Sequence, residues 1–231
     1  MSKETHKRQA AQRAVELVEN GMKLGLGTGS TARHVLEVIA ERRACGELPD
    51  IVGVPTSRAT EDLARELGIP TGTLEEHPRL DLGIDGADEV DPELNLIKGL
   101  GGALLWEKIV AAACDRFVVV VDDSKLVPAL GSRSPLPVEV IPFGWSTHLE
   151  FMRSLGADPV LRTGKDDTPF ITDGGHYIID CTFPNGITQV RGVEAVLRLR
   201  PGIVETGLFI GMAAKVVVSG ENGVAVMEAG A

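Results

Sequence analysis

An alternation limits what this chain can become more than any other feature. Four short aliphatic runs, Met22–Leu26, Ile51–Val54, Leu80–Ile84 and Phe117–Val121, are separated by stretches whose apolar residues recur at helical spacing. Ala11, Ala14, Val15 and Val18 stand at i, i+3, i+4 and i+7, and Asn20-Gly21 closes that first helix. Val35, Leu36 and Ile39 mark a second, a third ends near Gly68, and a fourth runs from about Ala103 to Ala113. Strands that each hand over to a helix predict a parallel sheet covered by helices, because a parallel neighbour is reached only by crossing over the sheet.

The pattern changes after Gly131. SPLPVEVIPF is a proline-bounded strand, Ser146–Leu155 a short helix, ITDGGHYIID two strands joined at Asp173-Gly174-Gly175, and Thr188–Leu199 a further helix. Hairpins and helices without parallel crossovers describe a small α+β unit. The closing GLFIGMAAKVVVSGENGVAVMEAGA returns to short aliphatic strands that complete the first sheet. The expected fold class is therefore α/β. A Rossmann-like parallel-sheet domain takes residues 1–130 and 205–231, and a second, smaller α+β domain, a lid or oligomerisation module, takes 131–204.

Composition removes several function classes. A formal charge of -10 disfavours nucleic acid as a partner, since such binding draws on Lys and Arg to neutralise phosphates. Cys45, Cys114 and Cys181 form no CxxC pair, which argues against a zinc ribbon or a disulfide framework. His6, His34, His77, His148 and His176 share no metal-ligand spacing, so no metal is expected. The charged N-terminus lacks an apolar export core and no run is long enough to cross a membrane. The expected setting is the cytoplasm, with neither membrane nor nucleic acid as a partner.

In an open α/β sheet, ligands bind at the carboxyl ends of the strands. GLGTGST follows the first strand and offers Gly25, Gly27 and Gly29 for close backbone approach, with Thr28, Ser30 and Thr31 at a helix N-terminus that favours anions. The spacing is G-x-G-x-G, not the dinucleotide fingerprint, and the second strand ends in Pro55-Thr56 without the acidic residue that holds a ribose hydroxyl. The motif reads either as a phosphate turn or as a tight capped turn. Asp85 and Asp88 follow the third strand as a catalytic pair or as an Asx turn with a solvated acid. Lys98, ahead of Gly99, Gly101 and Gly102, can place a cation and amides around an oxyanion. Lys125 has the same double reading, solvated or anion-binding. On the fourth helix, Leu105, Ile109 and Ala112 fall on the expected core face with Glu107 roughly opposite, so periodicity alone makes Glu107 a solvated first-turn glutamate. It becomes a general base only where that outer face borders the cleft.

GLGTGSTA, DGADEVD, LIKGLGGALLWEKIV, SKLV, LPVEVIPF, ITDGGHYIID and GIVETGLFIG, in this order, resemble the blocks of the type A ribose-5-phosphate isomerase family over nearly the whole chain. The resemblance implies an aldose-ketose isomerase that interconverts D-ribose 5-phosphate and D-ribulose 5-phosphate through a cis-enediol, without cofactor, in the pentose phosphate pathway or carbon fixation. It puts the catalytic base on Glu107, a role that partial burial suits. It puts Asp85 and Asp88 on ring opening and proton movement and Lys98 on the enediolate. Substrate contacts fall on Thr28, Gly29, Ser30, Thr31, Asp85, Gly86, Ala87, Asp88, Lys98, Gly99, Leu100, Gly101 and Lys125, with Lys7 as an additional phosphate contact. The implied assembly is a homodimer or homotetramer. Three positions depart from the family pattern: Trp106 for an arginine, Leu100 for a frequent glycine and His176 for a common asparagine. The rival readings are a sugar-phosphate sensor without catalysis and a CoA-transferase-like protein. A sensor would bring a DNA-binding module, and a CoA transferase a nucleophilic glutamate and a CoA groove.

Overall fold

The computed structural model describes residues 2–228; residues 1 and 229–231, the ends of the expected first domain, lie outside that range. The chain forms two compact units, one from Met1–Ala87, Trp106–Lys125 and Gly211–Ala231, the other from Asp88–Leu105 and Leu126–Ile210.

The first unit carries α1 (Lys3–Val15), β1 (Lys23–Leu26), α2 (Ser30–Ala44), β2 (Val52–Pro55), α3 (Arg58–Glu66) and β3 (Leu82–Asp85). It resumes with α4 (Leu104–Ala113, from Trp106 onward) and β6 (Phe117–Asp122), and ends with β12 (Lys215–Gly220) and β13 (Gly223–Glu228). Its six-stranded sheet has the order β13-β12-β6-β3-β1-β2. The pairs β12–β6, β6–β3, β3–β1 and β1–β2 are parallel, and β13 lies antiparallel on the edge. β6 is buried along its whole length, as FVVVVD requires of a strand covered on both faces. Leu24 and Leu26 of β1 join Val35, Leu36 and Ile39 of α2 and the Ala/Val face of α1 in one core cluster. Gly25, between them, turns to the opposite face, where an added Cβ would meet Val110 Cγ1 at 2.8 Å and Cys114 Sγ at 3.1 Å. A Cβ added at Gly83 on β3 would meet the same Cys114 Sγ at 2.7 Å, so α4 and the turn after it sit on a glycine-lined patch.

The second unit carries β4 (Glu89–Val90), β5 (Leu96–Ile97), β7 (Leu136–Val140), α5 (Thr147–Ser154), β8 (Asp158–Leu161), β9 (Tyr177–Thr182), α6 (Val190–Arg198), β10 (Ile203–Thr206) and β11 (Leu208–Phe209). One antiparallel sheet runs β10-β7-β9-β8 and a smaller one β11-β5-β4. Its own core gathers Leu136, Val138, Val140, Ile179, Cys181, Met152 and Leu197.

Two sequence expectations change here. Residues 88–105, 126–130 and 205–210, expected in the first domain, group with the second unit, in which β5 pairs with β4 and β11 and β10 pairs with β7. The turn at Asp173-Gly174-Gly175 forms, with Gly175 N donating to Thr172 O at 2.9 Å, but no strand precedes it. β9 already has β7 on one side and β8 on the other, so a third arm has no ladder to join.

Candidate active site

The sheet order around β2-β1-β3-β6 reverses direction between β1 and β3, the switch point at which open α/β sheets bind ligands. The chain leaves β1 through Gly27, Thr28 and Gly29 into α2. Gly29 takes φ +110°, and Gly27 is pressed so close to Asp85 that an added Cβ would lie 2.2 Å from Oδ1 and 2.6 Å from Cα. Asp85 Oδ1 accepts the amides of Thr28 at 3.0 Å and Gly86 at 2.7 Å, locking the two strand ends together. Thr28 Oγ1 sits among the hydroxyls of Thr56, Ser57 and Thr60 at 2.7, 2.8 and 3.0 Å. Thr60 in turn donates to Gly27 O at 3.0 Å. This hydroxyl cluster ties the loop to the head of α3.

At the N-terminus of α2, no side chain caps the helix, and Lys7 Nζ of α1 donates to Ser30 Oγ at 3.0 Å and to Glu4 Oε1 at 2.7 Å. Thr31 lies beside Gly86, its Cβ 3.8 Å from where a Gly86 Cβ would stand. A cation, a hydroxyl and an uncapped helix start are features that favour an anion. Lys125 closes the 3₁₀ turn Asp123–Lys125 after β6, on the same carboxyl edge of the parallel sheet.

Glu107 reverses the expectation from periodicity. It is 5% exposed, with Lys108, Val110 and Ala111 also buried, whereas Ile109 is 48% exposed and Ala112 is outside. The face of α4 that meets the sheet is the one carrying Val110, which fills the space left by Gly25.

Within the second unit, Asp88 N donates to Ile97 O at 2.8 Å, and Asp88 Oδ2 accepts the Leu100 amide at 3.0 Å. Lys98 is buried, its amide on Gly207 O at 2.9 Å and its Nζ 5.5 Å from the centre of the Phe209 ring. Gly99 and Gly102 adopt φ +107° and +85°, bending the chain so that Gly102 N reaches Gly99 O at 3.0 Å. The candidate residues thus fall into two sets. Lys7, Thr28, Gly29, Ser30, Thr31, Asp85, Gly86, Ala87, Glu107 and Lys125 belong to the first unit, and Asp88, Lys98, Gly99, Leu100 and Gly101 to the second.

Sequence reasoning missed the supports. Ser57 caps α3 by accepting from Thr60 N at 3.1 Å, and the Ser-x-x-Thr spacing is the signal that could have found it. Glu89, inside DGADEVD, is fully buried and accepts the amides of Gly131, Arg133 and Ser134 at 2.6, 2.7 and 2.6 Å. Of the departures from the family pattern, Leu100 keeps its amide in use on Asp88. His176 Nδ1 pairs with the buried Glu139 Oε1 at 2.9 Å. Trp106 lines a cavity of about 500 Å³ with Val54, Pro55 and Ile109. Among the described residues no group of three or more His, Cys, Asp or Glu could hold a metal ion. Burial, with Asp115 adding to it, pushes the Cys114 thiol up to about 12, which disqualifies it as a nucleophile at neutral pH.

The profile of the ribose 5-phosphate isomerase A (phosphoriboisomerase A) family matches residues 52–223. The chain is 52% identical to ribose-5-phosphate isomerase A of Roseiflexus castenholzii over 228 residues, covering 99% of this chain and 97% of that protein. A solved D-ribose-5-phosphate isomerase in complex with phospho-erythronic acid superposes with a TM-score of 0.96 at 43% identity, covering 99% of this chain and all of the other. The ribose 5-phosphate isomerase of Plasmodium falciparum gives 0.95 at 37% identity with the same coverage.

Proposed function

This chain belongs to the ribose 5-phosphate isomerase A family, and from that premise we propose that it interconverts D-ribose 5-phosphate and D-ribulose 5-phosphate through a cis-enediolate. The open-chain aldose carries its exchangeable proton on C2. Glu107 takes that proton and returns it to C1. Asp85 and Asp88 assist ring opening and move protons between O1 and O2, while Lys98 and the amides that follow it oppose the charge that grows on the enediolate oxygen. Gly29, Ser30 and Thr31, with Lys7 and Lys125, take the phosphate, and Thr28, Gly86 and Ala87 shape the loop edges around the sugar. The chemistry uses no metal and no organic cofactor, and the substrate pair puts it in pentose phosphate metabolism.

The observation that supports this reading most is the burial of Glu107 on a helix that leaves Ile109 outside. Burying a carboxylate carries a desolvation cost of roughly several kcal/mol, and here it accompanies the seating of Val110, one turn along the same helix, in the patch left by Gly25. An enclosed carboxylate on a helix next to the strand ends suits a base that takes a proton from carbon. The sensor and CoA-transferase alternatives gain nothing from relatives that carry the isomerase name across nearly the whole chain.

The deciding experiment follows ketose formation from D-ribose 5-phosphate with EDTA present. Glu107→Gln is expected to lower kcat by about 10²- to 10⁴-fold while phospho-erythronate still binds. Near-normal turnover in that variant removes Glu107 from its role. No described helix is long and apolar enough to cross a membrane, and the compartment in this reading is the cytoplasm. The assembly in this reading is a homodimer or homotetramer, which sedimentation velocity reads directly.

A further inference from the structure

Arg162 follows β8, the edge strand of the larger antiparallel sheet, and its backbone is fixed at both ends. Its amide donates to Ile178 O at 2.8 Å, and its carbonyl accepts from Phe170 N at 2.9 Å. The side chain then divides its donors. Nε and Nη2 grip the two oxygens of Asp180 at 2.8 and 2.5 Å, the fork-to-fork pairing that fixes a guanidinium in plane. Nη1 is left over, and it donates to two consecutive carbonyls, Gly99 O at 2.9 Å and Leu100 O at 3.1 Å. Consecutive carbonyls point to opposite sides in an extended chain; the positive φ of Gly99 belongs to the bend that brings them together. Phe170 completes the brace. Its ring lies 5.8 Å from the guanidinium carbon and fills the space where a Gly102 Cβ would stand, 2.5 Å from Cζ.

This arrangement decides where the loop's amides point. In a trans peptide the N–H is directed away from the preceding C=O. With Gly99 O on Arg162, the Leu100 N–H points the other way, and it meets Asp88 Oδ2 at 3.0 Å. With Leu100 O on Arg162, the Gly101 N–H is likewise turned away from the guanidinium, and among the described residues it donates to no acceptor. Resting on the isomerase reading above, we propose that Arg162, braced by Asp180, is a positioning residue that holds the Gly101 N–H as an oxyanion donor for the enediolate. The same contact keeps the Gly99 and Leu100 carbonyls, which would repel that oxyanion, facing a cation.

The test uses Arg162→Lys and Asp180→Asn in the full-length protein. Lysine keeps the charge but cannot grip Asp180 through two nitrogens and still hold both carbonyls; asparagine keeps the volume and loosens the brace. Loss of one oxyanion donor costs about 10²- to 10³-fold in kcat, so partial misaiming is expected to cost about 10- to 100-fold, with KM for D-ribose 5-phosphate shifting less than about threefold. The inhibition constant of phospho-erythronate, whose carboxylate mimics the enediolate, is expected to rise by a similar factor, while that of inorganic phosphate stays unchanged. If both folded variants keep kcat within about threefold of the parent, or if phosphate and phospho-erythronate weaken equally, Arg162 only supports the fold and the inference falls. Should Arg162→Lys not fold, Asp180→Asn decides the question through the same kcat and inhibition measurements. A parent protein that does not isomerise D-ribose 5-phosphate overturns the isomerase reading and this inference with it, whereas an active parent with unaffected variants overturns this inference alone.

Discussion

A single methyl group at Gly27 probes whether the loop between β1 and α2 and the end of β3 form one rigid piece. Built on the present backbone, the added Cβ lies 2.6 Å from Asp85 Cα and 2.2 Å from Asp85 Oδ1. Ordinary carbon contacts need about 3.5 Å or more, so in Gly27→Ala the two segments must part by about 1 Å. Rotating the side chain cannot relieve a clash with Cα. The movement overpacks a buried site, at about 1–3 kcal/mol. It also strains the bonds from the Thr28 and Gly86 amides to Asp85 Oδ1, 3.0 and 2.7 Å in the parent, each worth about 1.5–3 kcal/mol as hydrogen bonds to a charged group. With those bonds only partly lost, a stability loss of about 3–6 kcal/mol is expected, against a total of about 5–15 kcal/mol for an ordinary domain. Urea unfolding followed by circular dichroism measures it. Displacing Asp85 by about 1 Å is also expected to reduce kcat about 10²-fold. Gly164→Ala serves as the control, because its methyl meets only Thr168 O at 3.8 Å. A Gly27→Ala protein within about 1 kcal/mol of the parent and of near-normal kcat would refute the reasoning, since the strand ends would then be free to part.

Glu89→Ala is expected to lose about 3–5 kcal/mol in the same urea assay, because it strips one buried and two part-buried amides of their shared acceptor; a loss below about 1 kcal/mol would mean that those amides find water. His148 is buried and accepts from Arg200 Nε at 3.0 Å, and burial followed by the Arg200 charge lowers its pKa below the ordinary imidazole value. The unfolded chain therefore binds the proton more readily, so this contribution to stability is complete above the unfolded pKa of about 6.5 and declines as pH falls from there towards the folded value. Unfolding free energies from pH 7.5 downward are expected to fall less steeply in His148→Gln, and parallel slopes would exclude the residue. Cys181, like Cys114, has its thiol pushed up to about 12, chiefly by burial, while Cys45 is exposed. An aromatic disulfide reagent at pH 8 is expected to titrate Cys45 promptly in the native protein and all three cysteines only in denaturant.

Much of the fold can be read along the chain because its signals are short-range. The aliphatic runs that alternate with helical stretches become β1, β2, β3 and β6 of the parallel sheet, and β12 returns to it through its pairing with β6. GLGTGST is also legible, since close approach at Gly27 and a positive φ at Gly29 each demand glycine. β4, β5 and β11 are different. Each spans two residues, too few to show a period, and β5 finds its β11 partner far along the chain, so the domain division from sequence misplaced residues 88–105.

The sequence by itself determined which chemistry was on hand: a glycine turn at a helix start, two aspartates after a strand, a lysine before a glycine run and a glutamate on a helix. Local rules of period, capping and turn residues suffice for that. Only the tertiary structure decided which way Glu107 faces, because the orientation of α4 is set by Val110 filling the patch left by Gly25, and Ile109 is thereby turned outward. It also decided that Arg162, sixty-odd positions beyond the loop, closes on the carbonyls of Gly99 and Leu100. Contacts of that range depend on how two segments meet in space, and no periodicity along either one records it.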